Sequence, residues 1–149
     1  MRNILNINES AVLKTSKEIE ISAPLETVWK IQTDINSWPS WQPEISKAKL
    51  MGPLEPDSTF VWKSAGFKLN STIRKVSENS FIGWSGKGFG ASAIHTWEFI
   101  ALENGNTMVR TFESMDGWLV KLLKGMMAKK LHESLDVWLN ALKRASEAQ

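Results

Sequence analysis

The chain has 149 residues, of which 42% are hydrophobic and 23% charged, and its formal net charge is +2. This composition is typical of a globular domain and excludes a disordered, collagen-like or coiled-coil chain, while the balance of charges argues against a nucleic-acid partner. Without cysteine there is no disulfide or thiolate chemistry, and without a long apolar stretch we expect a cytoplasmic protein with no stable membrane insertion.

The N-terminal part of the chain predicts one strand followed by two short helices. Residues 1–12 have no clear period, and we expect them to form a tail or an edge extension. Residues 13–21 alternate in polarity, which is typical of a half-solvated strand. Pro24 suits the start of a helix that runs to about Gln32. Asp34 is placed to cap a second short helix, which the prolines after it restrict to a turn or two.

Six further segments have the two-residue period of a strand and are separated by turn residues. They span residues 45–51, 59–64, 67–76, 81–85, 92–101 and 107–115. The last two are joined by Glu-Asn-Gly-Asn, which is a strong hairpin signal. Short strands joined by tight turns pair in an antiparallel sheet.

After Gly117 the period of the apolar residues changes from 2 to 3.6. The stripe from Leu119 to Ala145 predicts a helix of about thirty residues, roughly 45 Å long. Gly125 interrupts the stripe and is expected to mark a bend or a close contact. A single helix must then cover the apolar face of the sheet. We therefore expect residues 1–149 to form one α+β domain, with a curved antiparallel sheet of about seven strands wrapped around a long C-terminal helix.

Four segments resemble a known superfamily. Residues 21–29 (Ile-Ser-Ala-Pro-Leu-Glu-Thr-Val-Trp) and 34–41 (Asp-Ile-Asn-Ser-Trp-Pro-Ser-Trp) are similar to the N-terminal signature of the START-like, birch-pollen-allergen-like superfamily (SRPBCC). Residues 90–99 and 107–118 resemble the later strands and helix start of its bacterial polyketide cyclase/dehydrase and lipid transport group. The resemblance covers about residues 15–147 and implies a helix-grip fold with a hydrophobic cavity between sheet and C-terminal helix. It leaves the chemistry open, because the superfamily includes carriers, cyclases, hormone receptors and chaperone activators.

His95 and Glu113 are the candidate catalytic pair. Each shares a strand face with apolar residues, and a hairpin that pairs odd residues with odd ones turns both into the interior, within hydrogen-bond or one-water reach. A carboxylate beside an imidazole would fix its tautomer, raise its pKa and so create a general acid/base for enolisation or dehydration. The alternative is a buried, hydrogen-bonded histidine that fixes the register of the sheet or orients a ligand.

The excess of aromatic residues, with eight Trp and six Phe, predicts either a very aromatic core or a cavity with flat apolar walls. The expected ligand-binding residues are His95, Glu113, Phe60, Trp62, Phe67, Leu69, Ser71, Trp84, Trp97, Thr111, Met115, Trp118, Leu122 and Met126. Trp38 and Trp41 either gate the cavity entrance or cement the short helices.

The remaining motifs predict no cofactor. A metal site needs three or four convergent ligands, and we expect none in a chain with two histidines and no cysteine. His132 falls opposite the apolar stripe and is expected in solvent. The glycine-rich segment 86–90 lacks the following helix that a nucleotide loop requires, so we interpret it as a turn. The lysines between residues 118 and 131 predict a solvated helix face.

We therefore expect a protein, monomeric or homodimeric, that binds a small hydrophobic molecule of aromatic, lipid or polyketide-like character. The alternative is an enzyme, a cyclase or dehydratase of the lyase or isomerase type, that works without a metal and uses His95 and Glu113 as acid and base. A chaperone-activator-like protein-interaction module is a third hypothesis. It predicts a filled interior and a large apolar patch beside residues 121–130.

Overall fold

A computed structural model describes residues 6–149 as a curved sheet, two short helices and a C-terminal helical region. The strands are β1 Leu13–Ile21, β2 Ile45–Met51, β3 Thr59–Ser64, β4 Phe67–Ser77, β5 Phe81–Gly88, β6 Ala91–Ala101 and β7 Thr107–Asp116. The helices are α1 Leu25–Thr33, a 3-10 helix Ile35–Ser40, α2 Trp118–Leu122 and α3 Lys124–Glu147. All neighbouring strands are antiparallel, in the order β1-β7-β6-β5-β4-β3-β2. This arrangement confirms the helix-grip fold expected from the sequence.

The segment before β1 is fastened to the end of β7. The backbone N–H of Asn8 donates to Oγ of Ser114 at 3.0 Å, and its side-chain amide donates to Asp116 at 2.9 Å. The backbone N–H of Val12 donates to the other carboxylate oxygen of Asp116 at 3.0 Å. Residues 1–12 were expected to form a tail or an edge extension. These bonds attach Asn8 and Val12 to the end of β7, and residues 1–5 lie outside the described residues.

The C-terminal helical region is broken where the sequence pattern predicts one continuous helix. α2 ends and α3 begins around Leu123, which has φ −112° and ψ 30°. The break therefore precedes Gly125, which lies inside α3 with no atom within 4 Å of the position that a Cβ would take. The backbone N–H of Leu119 donates to the carbonyl of Gly90 at 3.1 Å, and this bond holds α2 to the β5–β6 turn.

α3 is buried along its C-terminal half only. Its buried side chains all lie between residues 135 and 146, where it packs against β1 and α1. Nζ of Lys17 on β1 lies 2.7 Å from Oδ1 of Asp136 and 3.0 Å from Nε2 of His132. The side chain of His132 is 62% exposed, as the helical phase predicts. Residues 124–134 contribute no buried side chain.

An aromatic cluster fills the core between the sheet and the C-terminal half of α3. Trp138 lies at its centre, with the ring centroids of Trp38 and Trp97 each 5.1 Å away. Trp62 and Trp84 approach the same ring at 5.7 and 6.3 Å. Edge-on and tilted aromatic pairs of this kind stabilise a core beyond the burial of their area. Much of the aromatic excess is therefore packed core.

Candidate functional site

β6 and β7 place His95 and Glu113 directly opposite each other. Nδ1 of His95 lies 3.7 Å from Oε2 of Glu113, and the two side chains are 3% and 15% exposed. The pair therefore lies on the inner face, as odd-to-odd pairing predicts. Because 3.7 Å exceeds a hydrogen-bond distance, a small side-chain movement is needed to close the contact.

Thr111 forms a hydrogen bond with the other nitrogen of the His95 imidazole. Its Oγ1 lies 2.7 Å from Nε2 of His95 and 3.1 Å from the carbonyl oxygen of Thr96. A carbonyl only accepts, so the single hydroxyl proton of Thr111 is donated to Thr96, and Nε2–H of His95 donates to Oγ1. The lone pair of Nδ1 is then left facing Glu113.

Burial sets the protonation state of the pair. It raises the pKa of Glu113 to about 8 and lowers the pKa of His95 to about 3, because loss of hydration disfavours the charged form of each group. At neutral pH the pair is therefore a carboxylic acid beside a neutral imidazole. The expectation that the carboxylate raises the imidazole pKa is wrong, since burial lowers the pKa of His95 and Glu113 carries a proton in place of a negative charge at neutral pH.

Aromatic rings surround His95. Trp97 stacks on the imidazole with centroids 5.0 Å apart and planes at 29°, Trp84 lies at 5.1 Å, and Trp138 meets it edge-on at 5.6 Å. His95 thus belongs to the packed cluster, whereas the more exposed Glu113 forms the border of that cluster.

Beyond Glu113, towards the start of β6, the inner face of the sheet is only partly covered. Leu69, Gly86, Ala93 and Met115 lie on this face and are half-buried. Gly86 and Ala93 pair with each other across the sheet and fill little space. The helical residues 118–134 bury one side chain, that of Val120. The helices therefore cover this end of the inner face only partly, and we call it the open end of the interior.

The structure divides the expected ligand-binding residues into three groups. The buried group is Trp38, Phe60, Trp62, Ser71, Trp84, His95, Trp97 and Thr111. The half-buried group is Trp41, Leu69, Glu113 and Met115. The exposed group is Phe67, Trp118, Leu122 and Met126, at 58–71%. The half-buried residues other than Trp41 surround the open end of the interior.

Trp38 has a structural role. It is fully buried, and its Nε1–H donates to the carbonyl of Gln32 at 2.8 Å, so it cements the short helices rather than gating an entrance. Trp41 packs against the core and lines a cavity of about 350 Å³ between the 3-10 helix and the C-terminal end of α3. Neither tryptophan lies at the open end of the interior.

The exposed group corrects the expected cavity wall. Trp118 and Leu122 lie on the outside of α2, because the same helix turns Val120 into the core and is held to the β5–β6 turn through Leu119. Phe67 stands at the free start of β4, next to the two-residue turn that joins it to β3. These side chains form surface and do not enclose a cavity.

Two features were not found from the sequence. Gln32 is buried and accepts a hydrogen bond from Nε1 of Trp138 at 3.0 Å through its Oε1, although an amide in a short helix carries no signal for burial. A groove of about 510 Å³ also lies on the outer face of the sheet. Its outward-facing lining includes Thr59, Val61, Asn70, Thr72, Arg74, Ser85, Lys87, Ser92, Ile94 and Ser114. Polar residues at alternate positions predict a solvated face but not its curvature.

Among residues 6–149, no group of three or more His, Asp or Glu side chains is arranged to hold a metal ion. Within the same part of the chain, no helix combines the length and the apolar character needed to cross a bilayer.

The comparisons with known proteins agree with this fold. A family model described as polyketide cyclase / dehydrase and lipid transport matches residues 12–147. The chain belongs to this family. The resemblance of the chain to the polyketide cyclase/dehydrase and lipid transport group is thereby confirmed. No curated protein matches the chain.

Solved structures share the fold at low sequence identity. A hypothetical protein from Helicobacter pylori is 17% identical with a TM-score of 0.83, and the match covers 98% of this chain and 99% of that one. A START superfamily protein from Mycobacterium smegmatis is 18% identical with a TM-score of 0.78, covering 91% and 97%. Zhui aromatase/cyclase from Streptomyces sp. R1128 is 14% identical with a TM-score of 0.76, covering 91% and 93%. At these identities the likeness shows the fold alone.

Proposed function

We propose that this family member binds a small hydrophobic molecule at the open end of the interior, with Glu113 as its polar anchor. The observation that carries the proposal is the position of a protonated carboxyl at the border between a packed aromatic cluster and a half-covered apolar face. Burying an ionisable group costs free energy, and a hydrogen bond to a ligand offsets part of that cost. Apolar walls with few polar groups are typical of small-molecule sites.

The groups around Glu113 define the class of ligand. Leu69 and Met115 offer apolar walls, and methionine adapts its shape to irregular partners. The protonated carboxyl donates a hydrogen bond to an oxygen of the ligand, which favours an apolar molecule with one carbonyl or hydroxyl group. Affinity would come mainly from buried apolar area, at about 25 cal/mol per Å².

A steric block tests this site directly. Ala93 lies on the open inner face and Ile94, the next residue, points to the outer face. Ala93→Phe should reduce binding of the carbonyl dye Nile red by at least about tenfold, whereas Ile94→Phe should leave it within about twofold. Glu113→Gln, which keeps a neutral hydrogen-bond donor, should also bind within a few-fold.

Native mass spectrometry of the purified protein, with organic extraction of bound molecules, completes this test. A defined apolar adduct that is lost in Ala93→Phe supports the proposal. A protein that carries no adduct and takes up no dye contradicts it. Loss of dye binding in Ile94→Phe alone would instead place the ligand in the outer groove.

The second candidate is a cyclase or dehydratase. The observation that favours it is the acid beside a base, since Glu113 holds a proton at neutral pH and Nδ1 of His95 holds a lone pair. In a dehydration, Nδ1 of His95 would take a proton from a substrate carbon, and Glu113 would protonate the leaving hydroxyl, which departs as water. Transfer of the abstracted proton from His95 to Glu113 would then restore the pair. The lowered pKa of His95 makes it a weak base, which favours binding over turnover. Loss of turnover of the extracted ligand in His95→Ala, with affinity kept within a few-fold, would support the enzyme.

A further inference from the structure

Apolar side chains are exposed together at one end of the molecule. They are Phe67, Phe89, Trp118, Leu122 and Met126, which are 58–83% exposed. Phe67 begins β4, Phe89 lies in the β5–β6 turn, and the others lie on α2 and α3. We call this set the apolar end patch.

Two members of the apolar end patch are in direct contact. The ring of Phe89 meets that of Trp118 edge-on, with centroids 5.4 Å apart. Trp118 and Leu122 are four residues apart in α2, the spacing that puts side chains on one side of a helix, and Met126 follows in the first turn of α3. Exposed aromatic and aliphatic groups that are positioned in this way indicate a surface with a partner.

The helical segment of the apolar end patch is positively charged. Lys121, Lys124, Lys129 and Lys130 are exposed, and no acidic residue occurs between Asp116 and Glu133. Within residues 6–149, Lys129 is the one lysine of the four that makes a salt bridge, with Glu133 at 3.9 Å. The other three leave their charge available to an anionic partner.

We propose that the apolar end patch docks the protein on an anionic lipid surface. Trp, Phe, Leu and Met side chains enter the boundary between headgroups and acyl chains, while lysines beside them attract anionic headgroups. A second copy of the chain fits this face poorly, because a two-fold contact would bring its unpaired lysines together. The inference does not depend on the proposed ligand, since it rests on surface residues alone.

Docking in this orientation has a structural consequence. The apolar end patch lies at the end of the sheet where β4 and β6 begin and β7 ends, which is also the end where Ala93 and Met115 are half covered. The opening of the interior would then face the membrane.

The test is cosedimentation of the full chain with vesicles of phosphatidylcholine alone or with about one third phosphatidylglycerol. The protein should pellet with the anionic vesicles, bind the neutral ones more weakly, and dissociate as salt is raised. Leu122→Gln with Met126→Gln should weaken anionic binding at least about tenfold. Lys121→Glu with Lys124→Glu should weaken it by about fivefold or more for each lysine.

Matched controls are available elsewhere on the chain. Met51 and Ile100 are exposed apolar residues at the other end of the sheet, and Lys47 and Lys49 are exposed lysines on β2. Met51→Gln with Ile100→Gln, and Lys47→Glu with Lys49→Glu, should change binding by less than about twofold. Near-ultraviolet circular dichroism checks that every variant is folded.

Three outcomes would overturn the proposal. One is failure to pellet with either vesicle, and another is equal binding to neutral and anionic vesicles. The third is equal loss of binding in the patch variants and the controls.

If vesicle binding is absent and Leu122→Gln with Met126→Gln converts a dimer to a monomer in size-exclusion chromatography, a second copy covers the patch. If vesicle binding is absent and Leu122→Gln with Met126→Gln no longer binds an acidic protein that wild type binds, that protein covers the patch.

Discussion

The hydroxyl of Thr111 lies 2.7 Å from Nε2 of His95 on the inner face of the sheet. Because the same hydroxyl donates to the carbonyl of Thr96, it accepts a hydrogen bond from Nε2–H of His95, and Nδ1 carries no proton. The free lone pair faces Glu113, whose raised pKa keeps it protonated at neutral pH. The hydroxyl of Thr111 thus sets the tautomer of His95, while burial keeps Glu113 protonated.

Removal of this hydroxyl should destabilise the protein. Thr111→Val keeps the shape of a fully buried side chain but leaves Nε2–H of His95 and the carbonyl of Thr96 without their partner. We expect a loss of about 1–3 kcal/mol in the free energy of unfolding, measured by urea denaturation. Thr111→Ser keeps the hydroxyl and should lose less, and a larger loss in Ser than in Val would contradict the assigned bonding.

The contribution of Glu113 to stability should fall between pH 4.5 and 8, because the pKa of Glu113 is raised from 4.5 to about 8. In this range the folded state keeps a proton that the unfolded state releases, so wild type should lose up to about 1.4 kcal/mol per pH unit relative to Glu113→Gln. Unfolding by urea from about pH 4 to about pH 9 measures this difference.

Glu103→Gln, in the exposed β6–β7 turn, controls for the loss of one carboxylate. A constant difference between wild type and Glu113→Gln across this range would show that Glu113 is ionised in the folded state.

The titration of His95 should make stability change with pH in the direction opposite to that of Glu113. Its pKa is lowered from 6.5 to about 3, so its contribution is present above pH 6.5 and is lost as the pH falls towards 3. Between pH 4.5 and 6.5 the opposing slopes of His95 and Glu113 should nearly cancel. In Glu113→Gln the slope of His95 should therefore become visible there, and a flat profile in that variant would count against a neutral His95.

Trp118 in α2 and Trp138 in α3 should respond very differently to the same substitution. Trp138→Phe removes the donor to Gln32 and leaves space at the centre of the aromatic cluster, so we expect a loss of about 2–4 kcal/mol. Trp118 is 58% exposed, and Trp118→Phe should cost less than about 0.5 kcal/mol. Similar losses in thermal unfolding would contradict the packed cluster.

Two glycines test the start of the helical region. A Cβ at Gly117, where φ is +124°, would lie 2.2 Å from the carbonyl oxygen of Gly90, so Gly117→Ala should cost about 2 kcal/mol or more. Gly125→Ala meets no atom within 4 Å and should stabilise α3 by about 0.5 kcal/mol. A destabilised Gly125→Ala, measured by thermal unfolding, would show that Gly125 serves a contact.

Local signals in the chain were enough to predict the elements. The alternation of residues 13–21 and the hairpin signal at residues 103–106 fix strands and their pairing, because side-chain period and turn chemistry act over a few residues. The same rule placed His95 and Glu113 on the inner face, opposite or diagonal to each other, and the structure has them opposite. The local signals did not predict the break at Leu123, because the apolar stripe is continuous across it. The hydrogen bond that holds α2 joins Leu119 to Gly90, which is distant in sequence.

The sequence by itself determined the helix-grip fold and the face on which His95 and Glu113 lie, since periodicity and register follow from neighbouring residues. Only the tertiary structure decided the protonation of that pair, because desolvation depends on the rings that distant elements pack around it. It also decided which apolar residues are core. Trp138 and Trp118 both lie in the C-terminal helical region, yet one is surrounded by aromatic rings and the other is left exposed where α2 is held to the β5–β6 turn.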